Sequence, residues 1–362
     1  MQKNLKLRQI CLFLIIFAFL PKLFMMPSIL ARYANEDLWI SGLLNVLLEF
    51  ITLFFIVLVY RKENSNIFEI LEERFGKTIS KVILFLFFIY FMVKSIIPLN
   101  EQKDYVDLTL YTLRPTLIYF LPFFILAFYF CTKKLRILGR VSDGIFATSL
   151  LGIIILFALS ISNSEFASFL PIGANGIKSI VTASYSTLNW FGESAYCLFF
   201  VGEFYYKKKD GIKILCSYLI GALITITFLI VFYSVFTSIS FRQRFALTEI
   251  SKYATVINNI GRFDYLGILL ILFSNLFSLS LPLYFACIML NRIFSLKKSW
   301  ISPIIVVGIQ FIIMTVFYQF YNSFEKIIIS YGGILFLIIG NLLPIIISTI
   351  ILKGGNYERK TC

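Results

Sequence analysis

Histidine is absent from all 362 residues, and charged residues make up only 14% of them. The first absence excludes imidazole metal sites, Ser-His-Asp triads and imidazole proton relays. The second is incompatible with a water-soluble domain, where about a quarter of residues are charged. Acidic residues are especially few, 19 against 33 Lys and Arg. Paired cysteines are missing too. Cys11, Cys131, Cys197, Cys216, Cys287 and Cys362 show no CxxC spacing, so neither a disulfide framework nor a metal site is expected. Enzyme signatures are lacking: Phe75–Gly76–Lys77–Thr78 resembles the end of a phosphate loop, but Leu71 stands where the first glycine belongs. No cofactor and no enzymatic activity are expected.

What is present is apolar. Hydrophobic residues reach 59%, with 41 Phe, and they cluster in long runs. The chain reads as an all-α polytopic membrane protein. Its net charge of +14 comes from short basic runs between apolar segments, so nucleic acid is not an expected partner. The basic flank Lys3, Lys6 and Arg8 precedes an apolar run with no small-residue cleavage site, which suggests a first transmembrane helix rather than a signal peptide.

A bilayer core near 30 Å takes about 20 helical residues. Ten spans are predicted, near Gln9–Ala31, Trp39–Tyr60, Val82–Pro98, Thr116–Cys131, Gly144–Ile161, Leu188–Tyr205, Ile214–Phe236, Tyr265–Leu290, Ile301–Tyr318 and Ile329–Leu352. With both termini inside, the inner segments carry 22 Lys and Arg and the outer ones 9. That asymmetry places both termini in the cytoplasm. Residues 66–81 carry Ile67, Ile70, Leu71 and Phe75 at helical spacing, predicting an amphipathic helix on the inner membrane surface. Ala246, Ile250, Tyr253 and Ile257 predict a short helix over the outer face. Nothing divides the chain, so residues 1–362 are read as a single transmembrane domain.

Pro21–Lys22 interrupts the first span, and Phe191–Gly192–Glu193–Ser194 interrupts the sixth, 171 residues after Pro21. Proline removes a backbone donor and forces a break. Matching breaks in the first helix of each half point to a five-plus-five inverted repeat, about 1–161 and 186–352, with half-helix ends turned toward a central cavity. Three ionisable residues fall at membrane depth. At helical rise Lys22 and Glu193 lie about 19 Å from the inner surface and Glu49 about 15 Å from the outer one. An isolated charge there costs at least ~2.5–3.5 kcal/mol. Lys22 is therefore expected to pair with Glu193 or Glu49, either to join helices or to shape a ligand site. Trp190, Phe191 and Gly192 are candidate pocket walls, with Asn275 and Ser278 as further candidate lining. Lys94 and Glu203, near span ends, are expected to reach the interface and are given no role.

The chain resembles the membrane-permease (B) subunit of bacterial spore germinant receptors, a branch of the amino acid–polyamine–organocation transporter superfamily. The resemblance rests on Asp37–Leu38–Trp39–Ile40–Ser41, Gly139–Arg140 with Ser142–Asp143, Leu170–Pro171, Phe191–Gly192–Glu193 and Gly261–Arg262–Phe263–Asp264, in that order along the chain. It implies a ligand site between the first, third, sixth and eighth spans. It also implies germinants such as amino acids, two partner subunits, and residence in the inner membrane of the spore. Where the family's first helix breaks at a Gly-rich stretch, this chain has Leu20–Pro21–Lys22. The alternative function is an amino acid secondary transporter working by alternating access.

The charge asymmetry gives a direct test of topology. In intact cells a membrane-impermeant maleimide is expected to leave Cys362 unlabelled and to label it after permeabilisation; labelling of intact cells overturns the assignment.

Overall fold

The computed structural model describes residues 5–109, 116–160, 164–253, 264–296, 298, 300–316 and 321–353, and among them every regular element is helical. Six helical stretches are long and apolar enough to cross a membrane, and two shorter apolar helices join them. The two interrupted helices complete the ten.

The first span is α1 (Leu7–Phe19), a 3-10 turn Leu20–Lys22, and α2 (Met26–Ala34). The break follows from two prolines. In a continuous helix the Phe17 carbonyl would accept from residue 21 and the Leu23 carbonyl from residue 27, but Pro21 and Pro27 have no N–H. Each orphaned carbonyl finds another donor. Lys22 Nζ donates to Phe17 O at 2.7 Å, and the Leu247 N–H donates to Leu23 O at 3.1 Å. The Thr225 hydroxyl donates to Ala18 O at 2.7 Å and the Ala246 N–H to Phe24 O at 3.0 Å.

The sixth span is α8 (Gly176–Thr187), a 3-10 turn Leu188–Trp190, a non-helical step at Phe191 and Gly192, and the short α9 (Ser194–Leu198). Gly192 turns the chain at φ +91, and a Cβ there would stand 2.6 Å from the Tyr90 hydroxyl. The span begins at Gly176, twelve residues before the expected Leu188. Its outer half is rich in Ser, Thr and Lys and is partly packed against protein, so hydropathy alone hides it.

The remaining elements are α3 (Leu38–Lys62), α4 (Ile67–Lys94), α5 (Ile96–Thr109), α6 (Thr116–Cys131), α7 (Leu135–Ser160), α10 (Asp210–Phe236), α11 (Ala246–Tyr253), α12 (Asp264–Phe294), α13 (Ile301–Val316), α14 (Tyr321–Leu337) and α15 (Leu343–Lys353). A π turn, Ile338–Leu342, joins the last two. The expected amphipathic helix is the first part of α4, set off by a kink at Gly76, φ +77. The third span does not end at Pro98. Pro98 sits in the first turn of α5, where a missing N–H costs nothing, and the helix runs on to Thr109. The expected outer helix is α11, its Ile257 lying outside the described residues, as do Gly261–Phe263 and Cys362.

α1 packs on α10 and α7, α2 crosses α8, and α3 contacts α8, α9, α10 and α15, so the two broken helices are enclosed by continuous ones. α12 closes the far side against α4, α5 and α6. The buried residues of α3, including Ser41, Asn45, Glu49, Thr52 and Ile56, recur at helical spacing and aim one stripe at the breaks. Asp37, of the segment opening α3, is buried and accepts from the Gly173 N–H at 2.7 Å, tying that segment to the loop carrying Leu170–Pro171.

The α1–α10 contact is backbone-close. A Cβ on Gly221 would lie 2.6 Å from both the Ile15 carbonyl and the Ala18 Cβ. Gly221→Ala is therefore expected to destabilise the fold by about 1–3 kcal/mol through overpacking, read as a lower thermal midpoint of the detergent-purified protein; an unchanged midpoint refutes the contact.

Candidate functional site

Between the two breaks lies a closed cluster of two ammonium and two carboxylate groups. Lys22 Nζ is 2.9 Å from Glu193 Oε2 and 3.7 Å from Glu49 Oε2, and Lys94 Nζ is 2.8 Å from Glu193 Oε1. All four side chains are buried. Opposite charges in equal number leave the cluster neutral, which is what allows ions to persist at this depth. Lys22 thus lies by both carboxylates named as its candidates, with the shorter approach to Glu193.

Lys22, Lys94 and Glu49 also hold backbone. Lys94 donates to Asn189 O at 2.8 Å and to Phe191 O at 2.6 Å, two carbonyls bared by the sixth break. The Tyr90 hydroxyl takes the next, Gly192 O, at 2.8 Å. Glu49 Oε1 accepts from the Ser194 N–H at 3.0 Å and Glu49 Oε2 from the Tyr218 hydroxyl at 3.0 Å. The Tyr60 hydroxyl donates to Cys197 O. The ammonium of Lys22 stands 4.7 Å from the centroid of the Phe191 ring, a cation–π contact.

Beside the cluster is a cavity of about 20 Å³, room for one water-sized group. Pro21, Trp190, Glu193 and Ser278 line it, together with Phe17, Lys94, Glu101 and Tyr196. Of the residues singled out from sequence, Trp190, Glu193 and Ser278 reach the cavity. Lys22, Phe191 and Gly192 form its supporting layer, with Glu49 behind them. Asn275 is on α12, outside the residues whose side chains are described.

Lys94 contradicts the expectation that it reaches the interface. It is 6% exposed and central. The error follows from ending the third span at Pro98, which put Lys94 near a membrane surface. Glu203 does lie near a helix end, where Asn66 Nδ2 donates to it at 2.9 Å. Sequence reasoning also missed Glu101 and Asp104 of α5. A signal was available in Ile97, Pro98 and Glu101, which share one face of that helix at offsets of one and four residues. Asp104 pairs with Arg244 from the segment before α11. No group of residues able to hold a metal ion occurs among the described residues.

Two interrupted helices, enclosed by continuous spans around a charged centre, define a membrane permease of the inverted-repeat transporter class. The sequence profile of the spore permease family, described as spore germination protein, matches residues 4–323, and the chain belongs to that family. Among solved structures, MhsT in complex with L-phenylalanine superposes with a TM-score of 0.62 at 13% identity, over 97% of this chain and 99% of that one. A mutant manganese transporter of Eremococcus coleocola gives 0.59 at 10% identity, over 95% and 76%. The same transporter bound to an aromatic bis-isothiourea compound gives 0.55 at 12% identity, over the same shares. At such identities the likeness is one of fold alone. No curated protein matches the sequence.

Removing one member of the cluster strands its partner. Lys22→Met and Glu193→Gln are each expected to cost about 3–5 kcal/mol, and the double variant less than their sum. A double-mutant cycle on thermal stability checks this, and additive losses refute the pair.

Proposed function

We propose that this protein is the membrane subunit of a spore germinant receptor, binding a small germinant, an amino acid, between the broken helices and signalling to two partner subunits. In this reading it lies in the inner membrane of the spore with both termini cytoplasmic. Membership of the spore germination family supports the setting, and the fold shared with a transporter crystallised with L-phenylalanine supports the ligand class.

The observation that carries the receptor reading over the transporter reading is the occupancy of the breaks. In secondary transporters the unwound carbonyls coordinate a coupling cation that must bind and leave. Here Lys22 and Lys94 fill that role at Phe17, Asn189 and Phe191. A cation attached to the chain cannot cross the membrane, so uptake is not driven by release of a metal cation from these carbonyls. What remains is a ligand-dependent equilibrium. The cavity is too small for an amino acid in this conformation, so binding must part the helices around it, and the differential affinity for the opened state is the signal.

Two measurements test this. Proteoliposomes of the purified protein are expected to accumulate no labelled amino acid under a sodium or proton gradient; accumulation overturns the receptor reading in favour of the transporter. Trp190→Ala is expected to abolish amino-acid-triggered germination at unchanged protein level, and a full response would remove Trp190 from the site.

A further inference from the structure

The charge cluster closes on itself, but the cavity beside it does not. Glu101 lines that cavity from α5 and is 3% exposed. Its Oε1 accepts from Trp190 Nε1 at 2.8 Å and, at 3.5 Å, from the Met25 N–H. No ion pair reaches its carboxylate among the described residues; Lys94 is engaged by Glu193, and Arg244 by Asp104. A buried carboxyl held only by neutral donors is costly as an ion, so in an empty cavity it holds a proton and it ionises when a cation joins it. Glu101 faces the cavity of about 20 Å³, the size of a water or of an ammonium. Its walls include the rings of Phe17, Trp190 and Tyr196, and aromatic faces attract cations.

We infer that Glu101 is the docking point for a primary ammonium group of the ligand, so that the site selects amine-bearing molecules, amino acids and small amines, over otherwise identical molecules without the amine. The inference rests on the ligand reading above and adds the group that decides specificity. Lys22 and Lys94 are saturated by carboxylates and backbone carbonyls, so the cavity-lining carboxyl left without a cationic partner among the described residues is that of Glu101. Trp190 holds the carboxylate by one oxygen and leaves the other for the ligand.

The test uses the full chain in detergent, with the proteinogenic L-amino acids, each matched by its α-hydroxy acid and its decarboxylated amine, and reads the dissociation constants. In the wild type the best amino acid is expected to bind about ten- to a hundredfold more tightly than its α-hydroxy acid, the worth of a charged hydrogen bond. Glu101→Gln keeps an acceptor for Trp190 and removes the charge. It is expected to bring that ratio to within about threefold, chiefly by weakening the amino acid. A ratio unchanged in the variant overturns the assignment of Glu101 and leaves the ligand reading standing. Binding by none of the three classes in the wild type overturns the ligand reading and this inference with it. If the Gln variant does not fold, Glu101→Asp, which withdraws the charge by one methylene, reads the same ratio; a reduced ratio supports the assignment and an unchanged one overturns it.

Discussion

Charge neutrality inside a low-dielectric core is the constraint on which the centre of this protein depends. Lys22, Lys94, Glu49 and Glu193 share one buried volume, and none of them is affordable alone. Because Glu193 takes both ammonium groups, one on each of its oxygens, the first and third spans are fixed to the sixth through a single side chain. Glu49 adds the second span through its contact with Lys22 and its acceptance of the Ser194 N–H. Four of the ten spans therefore meet at one electrostatic knot.

The knot and the helix breaks explain each other. Interrupting a helix in a membrane bares carbonyls that no water can satisfy. Pro21 and Pro27 bare two in the first span, and the non-helical step at Phe191 and Gly192 bares more in the sixth. An ammonium can serve several acceptors at once, so each lysine neutralises a carboxylate and closes a gap in the backbone together. Pro21 without Lys22 would leave the Phe17 carbonyl unpaired, the sixth break without Lys94 would leave those of Asn189 and Phe191, and the lysines without the breaks would have fewer acceptors.

Much of this was legible from residues alone. Pro21, Gly192 and the depths of Lys22, Glu49 and Glu193 were enough to bring the breaks and three of the four charges to a common level. The ten spans and the α11 helix were likewise readable from hydropathy and spacing. Lys94 and Glu101 were not, because Pro98, a span end by hydropathy, stands in the first turn of the next helix. The polar N-terminal half of the sixth span escaped because its Ser, Thr and Lys residues lower its mean hydropathy, although Ser186 and Thr187 are buried against protein. Which carboxylate meets Lys22 was also beyond sequence, since both lie within reach, and the structure answers by using both.

A plug carried on the chain differs from one drawn from solution in its effective concentration. The local concentration of a tethered group is set by the length and stiffness of its tether and not by the medium. The Lys22 ammonium, five residues from the Phe17 carbonyl it serves, is present at the same strength whether the membrane separates dilute or concentrated salt. The resting centre is then indifferent to the ionic composition on either side, and an ionic strength change that would empty or fill a free-ion site leaves this one as it was.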